Sequence, residues 1–183
     1  MPHIDVGNDA PGILSLMRFR PETAGPLNEL AEILLRSPGS LSRGERELIA
    51  TYVSRGNGCE FCTGSHAALA GRQLEGGREA VRRVVEDHDF SGLTDKLVAL
   101  LTIADLVRQG GRAVTHEAVA AAREAGATDV EIHDTVLIAA AFCMYNRYVD
   151  GLASVPPTDP AVYEQSAKLI VEHGYGAVSR GGG

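Results

Sequence analysis

The sequence predicts an all-α protein, on three observations. All eight prolines of the 183 residues lie at positions 2–38 or 156–160, so residues 39–155 contain none. Because proline interrupts a helix interior at a cost of about 3 kcal/mol, this long proline-free stretch favours packed helices. Apolar residues recur in it at helical spacing. No run of alternating polar and apolar residues bounded by turns predicts a strand.

The N-terminal part of the chain is expected to be irregular. Residues 1–26 contain Pro11, Pro21 and Pro26 and show no sustained helical period. A first helix is predicted over 27–36, where apolar residues form one stripe and a Ser-Pro-Gly stop signal follows.

Capping and glycine patterns divide the rest of the chain into helices. Ser42 opens an S-x-x-E capping box, and the turn at Gly56-Asn57-Gly58 separates the helix that it begins from the next. Thr128 opens a second capping box ahead of a long apolar stretch. The predicted helices span about 42–55, 59–73, 78–87, 94–109, 115–125, 128–153 and 161–173, with a flexible tail over 179–183.

A weak internal repeat accompanies this order at an offset of 52 residues. Leu41-Ser42 aligns with Leu93-Thr94, and each pair opens a helix that ends in a glycine turn followed by another helix. The pattern indicates a duplicated helical hairpin, although matching helix lengths alone would produce the same alignment.

Composition restricts the class of protein. With 17 Lys+Arg and 24 Asp+Glu residues the formal net charge is −7, and no basic cluster offers phosphate contacts to nucleic acid. No apolar run reaches the roughly 18 residues that predict a membrane span. Residues 1–10 carry His3, Asp5 and Asp9 where a signal peptide has positive charge and then apolar residues. We therefore expect one cytoplasmic domain over residues 1–183 that binds neither nucleic acid nor membrane.

The chemistry is concentrated between Glu47 and His66. Cys59 and Cys62 form a C-x-x-C pair, and His66 follows Cys62 by four residues, so all three are expected on one helical stripe. Both cysteines fall near a helix N-terminus, which favours a thiolate. Glu47 and His66 lie at nearly equal distances from the turn at Asn57, so an antiparallel hairpin brings them face to face. A proton relay from Glu47 through His66 to Cys62 is then expected.

Other interpretations of these residues stay open. Cys59 and Cys62 could be two core cysteines, or they could bind zinc together with His66 and Glu47. Structural zinc sites usually draw ligands from two separate knuckles, and the chain has no second C-x-x-C pair. Glu47 by itself would also suit a solvated first helical turn.

The long apolar helix contributes further candidates. Cys143 lies in an apolar run and is expected in the core. Tyr145, Asn146 and His133 could line a substrate pocket, but they are interpreted more simply as core or interface residues.

The spacing from Glu47 to His66 reproduces the E-x11-C-x2-C-x3-H signature of the alkyl hydroperoxidase D (AhpD)-like proteins, which belong to the carboxymuconolactone decarboxylase superfamily. The flanking sequences RPETAGPLNELAEILLR, LSRGERELIATYVSRGNGCEFCTGSH and FCMYNRYVDGLA resemble its peroxidase-related branch. The likeness covers about residues 12–155. It implies an all-α, AhpD-like fold built of helical hairpins, internally duplicated, that assembles as a homo-oligomer such as a trimer or hexamer.

The resemblance also implies roles for the site residues. Cys62 matches the peroxidatic cysteine, Cys59 the resolving cysteine, and His66 and Glu47 the proton relay. It implies a peroxide substrate, no bound cofactor or metal, and an external dithiol reductant of the lipoyl or thioredoxin type. In the best-known members a histidine precedes the second cysteine and joins the relay, whereas this chain has Phe61. This departure favours weaker activity or a different oxidant.

The sequence thus favours a thiol-dependent peroxidase that reduces hydrogen peroxide or organic hydroperoxides. A non-redox lyase of the carboxymuconolactone decarboxylase type would share the expected fold, but such lyases do not generally need the cysteine pair. A general thiol–disulfide oxidoreductase would need the pair without needing peroxide. A binding or assembly protein, in which the pair only links a helical hairpin, is a further interpretation.

Overall fold

The computed structural model describes residues 1–180, and every regular element in them is helical. The ten α-helices of these residues are α1 (Ile13–Phe19), α2 (Pro21–Arg36), α3 (Arg43–Gly56), α4 (Glu60–Gln73), α5 (Gly77–Val85), α6 (Asp95–Gln109), α7 (His116–Glu124), α8 (Asp129–Gly151), α9 (Ala161–His173) and α10 (Gly176–Arg180). A short 3-10 helix at Gly111–Ala113 joins α6 to α7. The predicted all-α class is confirmed. None of these helices is both long and apolar enough to cross a lipid bilayer.

The structure corrects the expectation of an irregular segment over residues 1–26. Only residues 1–12 and Arg20 lie outside helices in this segment, because α1 follows residue 12 and α2 begins at Pro21, six residues earlier than predicted. Pro21 occupies the first helical position, where a missing N–H breaks no intrahelical hydrogen bond. Pro26 lies inside α2, and the helix continues past it as its later turns bury Ala31 and Leu34 against the core.

Side-chain caps explain where the central helices begin. Ser42 accepts a hydrogen bond from the Glu45 N–H, and the Glu45 carboxylate accepts one from the Ser42 N–H. Thr128 and Glu131 form the same reciprocal pair at the start of α8. Both predicted capping boxes are therefore confirmed.

The antiparallel hairpin of α3 and α4 forms the centre of the fold. α3 packs against α4 most extensively and also against α6 and α8, so Leu48, Ile49, Ala50 and Val53 are fully buried. α4 packs in addition against α5 and α9. Because α3 is enclosed on several sides, four of its polar residues are buried as well: Arg46, Glu47, Thr51 and Ser54.

The expected duplication is clearest in the first helix of each hairpin. α3 begins at Arg43 and α6 begins 52 residues later at Asp95, each after a hydroxyl side chain that caps it. The second hairpin is less regular, since α7 has 9 residues where α4 has 14. α6 also packs more extensively on α8 than on α7.

The C-terminal chain returns across the hairpin. α9 packs on α4, and α10 packs on α9, α2 and α1. Gly174 joins α9 to α10 with a φ of +84°, a conformation that favours glycine. Of the tail predicted over 179–183, residues 179–180 complete α10, and the remaining residues lie outside the described part of the chain.

Candidate active site

The hairpin of α3 and α4 brings Glu47 and His66 into direct contact. Glu47 Oε2 lies 2.7 Å from His66 Nδ1, and the Glu47 side chain is 1% exposed. A carboxylate on Nδ1 orients the imidazole and favours a proton on that nitrogen. The other ring nitrogen is then left to exchange a proton, as the expected relay requires. The face-to-face placement predicted from the spacing is thus present.

A second hydrogen bond to Glu47 comes from Tyr175, a residue for which the sequence carries no local signal. Its hydroxyl donates to Glu47 Oε1 at 2.5 Å, across 128 residues of chain. Its ring stacks against His66, with centroids 6.2 Å apart and planes inclined by 24°. Its backbone N–H donates to Glu32 Oε2 at 2.8 Å. Burial, followed by the charge of Glu47, raises the pKa of Tyr175 well above its usual value, so the hydroxyl stays a donor.

The cysteine pair lies at the N-terminus of α4. α4 begins at Glu60, so Cys59 is its N-cap residue and Cys62 lies in its first turn. The backbone N–H of Cys59 donates to the Ser54 carbonyl at 3.1 Å, which closes the turn between the two helices. Both cysteines are buried, free thiols.

The two thiols differ in acidity. The Cys59 thiol donates a hydrogen bond to Cys62, which lowers the pKa of Cys62 and raises that of Cys59. The positive charge of His66 and the side-chain amide of Asn146 lower the pKa of Cys62 further, while burial and the charge of Asp150 oppose them. Cys62 is therefore the thiol that ionises first.

Asn146 belongs to a buried polar network that reaches Cys62 from α8. Its Nδ2 donates to Ser54 Oγ at 3.1 Å, and its Oδ1 accepts from Asn57 Nδ2 at 2.8 Å. Asn57 Nδ2 also lies 3.5 Å from Cys143 Sγ. Cys143 is half-buried against the core. The network fixes the amide that faces Cys62, a role that the sequence interpretation of Asn146 as an ordinary core residue missed.

A cavity of about 90 Å³ lies beside Cys62 and His66, both of which line it. Since roughly 10–15 Å³ of such space holds one water molecule, the cavity has room for a small molecule. Its walls are mostly apolar and include Met17, Leu27, Leu69, Phe142 and Ile170. The arrangement places an ionisable thiol in the wall of a mostly apolar cavity.

Phe61 forms part of the wall of this cavity. Its ring centroid lies 6.0 Å from that of Tyr163. The ring also rests on Gly12, where an added Cβ would stand 2.2 Å from the ring atoms. At the position that holds a relay histidine in the best-known AhpD-like proteins, this chain therefore places an apolar group that can carry no proton.

Other candidates from the sequence lie further from the chemistry. Tyr145 lines the cavity, but its hydroxyl is occupied by a hydrogen bond of 2.9 Å to the Leu27 carbonyl. His133 is exposed beside Asp134. Among residues 1–180, no group of three or more His, Cys, Asp or Glu side chains could hold a metal ion.

The sequence matches one protein family over the central part of the site. Residues 21–84 match the sequence model of the carboxymuconolactone decarboxylase family. This segment runs from the start of α2 into α5 and includes Glu47, Cys59, Cys62 and His66. A search of curated proteins finds no significant match.

Solved structures share the fold over most of the chain. An uncharacterized peroxidase-related protein from Silicibacter sp. TM1040 superposes with a TM-score of 0.75 at 24% identity, covering 84% of this chain and 78% of its own. An uncharacterized peroxidase-related protein from Ralstonia eutropha JMP134, described as an alkylhydroperoxidase AhpD core, gives a TM-score of 0.75 at 23% identity, with coverages of 87% and 82%. A protein of unknown function from Agrobacterium tumefaciens gives 0.67 at 22% identity, with coverages of 79% and 97%. The resemblance expected from the motif is thus found again: residues 21–84 match the carboxymuconolactone decarboxylase family model, and the chain has the fold of AhpD-like, peroxidase-related proteins.

Proposed function

We propose that the protein is a thiol-dependent peroxidase that reduces hydrogen peroxide or organic hydroperoxides through Cys62 and Cys59. The observation that carries the proposal is the environment of the Cys62 thiol. Its pKa is lowered by Cys59 and by His66, and it lines a small, mostly apolar cavity. Glu47 Oε2 lies 2.7 Å from His66 Nδ1. Acidified thiols near a positive charge are the ones that react as nucleophiles.

The first half of the cycle oxidises Cys62. His66, oriented by Glu47, accepts the thiol proton, and the Cys62 thiolate attacks the terminal oxygen of the peroxide. The S–O bond forms as the O–O bond breaks, which leaves a sulfenic acid on Cys62 and releases an alcohol or water.

The second half forms and reduces a disulfide. Cys59 attacks the Cys62 sulfenic acid and displaces water. Its raised pKa keeps Cys59 protonated as a hydrogen-bond donor until Cys62 is oxidised. An external dithiol of the lipoyl or thioredoxin type then returns two electrons by thiol–disulfide exchange. No bound cofactor enters this scheme, and a cytoplasmic trimer or hexamer remains part of the same prediction.

The geometry favours this reaction over the alternatives. Cys62 lines the cavity, so a small oxidant that enters this space meets the thiol directly. A lyase mechanism of the carboxymuconolactone decarboxylase type gives no role to the hydrogen bond between the two thiols.

The test is to treat the reduced protein with one equivalent of peroxide and to map its thiols by mass spectrometry. We expect peroxide loss, with a mass decrease of two hydrogens assigned to a Cys59–Cys62 disulfide. Cys62→Ser should abolish the reaction, and Cys59→Ser should stop it at the sulfenic acid. Cys143→Ser, which removes the third cysteine, is the matched control and should react like the parent. If Cys62→Ser consumes peroxide as fast as the parent protein, the proposal is wrong.

A further inference from the structure

Tyr163 of α9 lines the same cavity, and its hydroxyl oxygen is buried without a hydrogen-bond partner among residues 1–180. A buried hydroxyl left unpaired costs about 1–3 kcal/mol, so nearly all such groups in folded proteins are satisfied. An unpaired donor in the wall of a cavity therefore points to a partner that arrives with a ligand.

The tyrosine ring lies close to the thiols. A Cβ added to Gly64 would stand 2.7 Å from the Tyr163 Cε2 and Cζ atoms. The phenol end of the ring thus packs on the α4 backbone at Gly64, an approach that only glycine at this position allows. The ring also packs on the apolar cluster that contains Cys59, Cys62, Phe61 and Val149.

The hydroxyl is a proton donor under ordinary conditions. Burial, followed by the charges of Glu60, Cys59 and Cys62, raises the pKa of Tyr163 to about 12. The phenol is therefore protonated at neutral pH, and it is a stronger acid than the alcohol whose alkoxide leaves when an alkyl hydroperoxide is broken.

The peroxidase cycle releases an alkoxide, which must gain a proton. His66 takes the proton of Cys62, Phe61 has no proton to give, and a phenol in the cavity wall offers the leaving oxygen a donor of its own. We propose that Tyr163 is a catalytic residue that donates its hydroxyl proton to the leaving oxygen of a hydroperoxide held in the cavity. The inference rests on the proposed peroxidase function and extends it.

The step balances in atoms and charge. The Cys62 thiolate attacks the terminal oxygen of ROOH, the S–O bond forms and the O–O bond breaks. The sulfur loses two electrons to the peroxide oxygens. The leaving alkoxide takes the Tyr163 proton and departs as ROH, and the phenolate regains a proton from water. The proton that His66 removed from Cys62 returns to solvent.

The test compares two oxidants of similar size that differ in their leaving group. Ethyl hydroperoxide releases an alkoxide, which needs a proton, whereas peracetic acid releases acetate, which does not. Oxidation of Cys62 is followed in a single turnover by rapid alkylation of the remaining thiols and mass spectrometry. With Tyr163→Phe, we expect the rate with ethyl hydroperoxide to fall by about tenfold or more, in the range of lost general-acid catalysis. The rate with peracetic acid should stay nearly unchanged.

Thermal unfolding provides the second readout. Because Tyr163→Phe removes an unpaired buried hydroxyl, the variant should unfold at the same temperature as the parent or higher. Tyr52→Phe is the matched control, since Tyr52 packs against His88 and Phe90 and does not line the cavity. It should leave both rates unchanged.

The outcomes separate this inference from the function on which it rests. If Tyr163→Phe slows both oxidants equally, or slows neither, Tyr163 is not the donor, although the peroxidase proposal survives. If the parent protein reacts with neither oxidant, both proposals are wrong.

Discussion

Tyr175 and Glu47 are 128 residues apart in the chain, yet the tyrosine hydroxyl donates to Glu47 Oε1 at 2.5 Å. The other carboxylate oxygen lies 2.7 Å from His66 Nδ1. The buried carboxylate is therefore held from two sides, by α4 and by the chain that joins α9 to α10. The orientation of His66 beside Cys62 depends in this way on the C-terminal part of the fold.

Replacing Tyr175 by Phe should destabilise the folded protein. The substitution leaves one oxygen of a buried carboxylate without its donor, a loss of about 1–3 kcal/mol in the free energy of unfolding. Urea denaturation measures it, with Tyr52→Phe as the control for loss of a hydroxyl away from the site. A Tyr175→Phe protein as stable as this control would show that the contact with Glu47 contributes nothing.

Replacing Glu47 by Gln should slow the peroxide step more at pH 7 than at pH 9. The carboxylate orients His66, whose charge lowers the pKa of Cys62. Without it the pKa of Cys62 rises, so less thiolate is present at pH 7, whereas at pH 9 the thiolate forms with little help. We expect a loss of about tenfold or more at pH 7, as for a missing general base, measured by rapid alkylation after mixing with peroxide. An equal loss at both pH values would remove Glu47 from the relay.

Replacing Cys59 by Ala should raise the pKa of Cys62 more than replacing it by Ser. The hydrogen bond from Cys59 is the largest cause of the lowered pKa of Cys62, and a serine hydroxyl can still donate where an alanine methyl cannot. The ultraviolet absorbance of the thiolate, followed against pH in a Cys143→Ser background, reports the ionisation of Cys62. Equal midpoints in the two variants would contradict the assigned donor.

Replacing Gly12 by Ala should destabilise the protein more than replacing Gly58 by Ala. Both glycines have positive φ angles, +53° and +76°, so each alanine carries backbone strain of about 1–2 kcal/mol. Only at Gly12 would the new Cβ also meet the ring of Phe61, whereas nothing lies within 4 Å of a Cβ at Gly58. Overpacking of this kind adds about 1–3 kcal/mol. The difference between the two unfolding free energies isolates the contact, and no difference would mean that Phe61 moves freely.

The part of the site that could be predicted from the sequence is the part built by one hairpin. A capping box at Ser42 and a glycine turn at Asn57 set the start and the end of α3, and the count of residues on either side of the turn then places Glu47 opposite His66. These are local rules, and the chain between the two residues is short. Residues that share a hairpin can be aligned without knowledge of the rest of the fold.

The remaining site residues depend on packing between distant elements. Asn146 contacts the α3–α4 hairpin from α8, Tyr163 from α9, and Tyr175 from the segment after α9. No spacing in the sequence relates these three residues to Cys62. The start of α2 was missed for a different reason. In the sequence, Pro21 was expected to lie outside a helix because proline interrupts helix interiors. At the first position of a helix, however, its missing N–H breaks no hydrogen bond.

The cavity is lined by residues from inside and outside the segment that matches the family. The thiols and the Glu47–His66 pair lie within residues 21–84, the segment that matches the family, whereas Tyr163, Tyr175 and Phe142 lie beyond it. Substitutions in the later helices can therefore reshape the cavity while Cys59 and Cys62 stay unchanged. Two homologues with the same E-x11-C-x2-C-x3-H spacing can diverge in the small molecule that this cavity accepts, and the C-terminal third of each chain is where that divergence is expected.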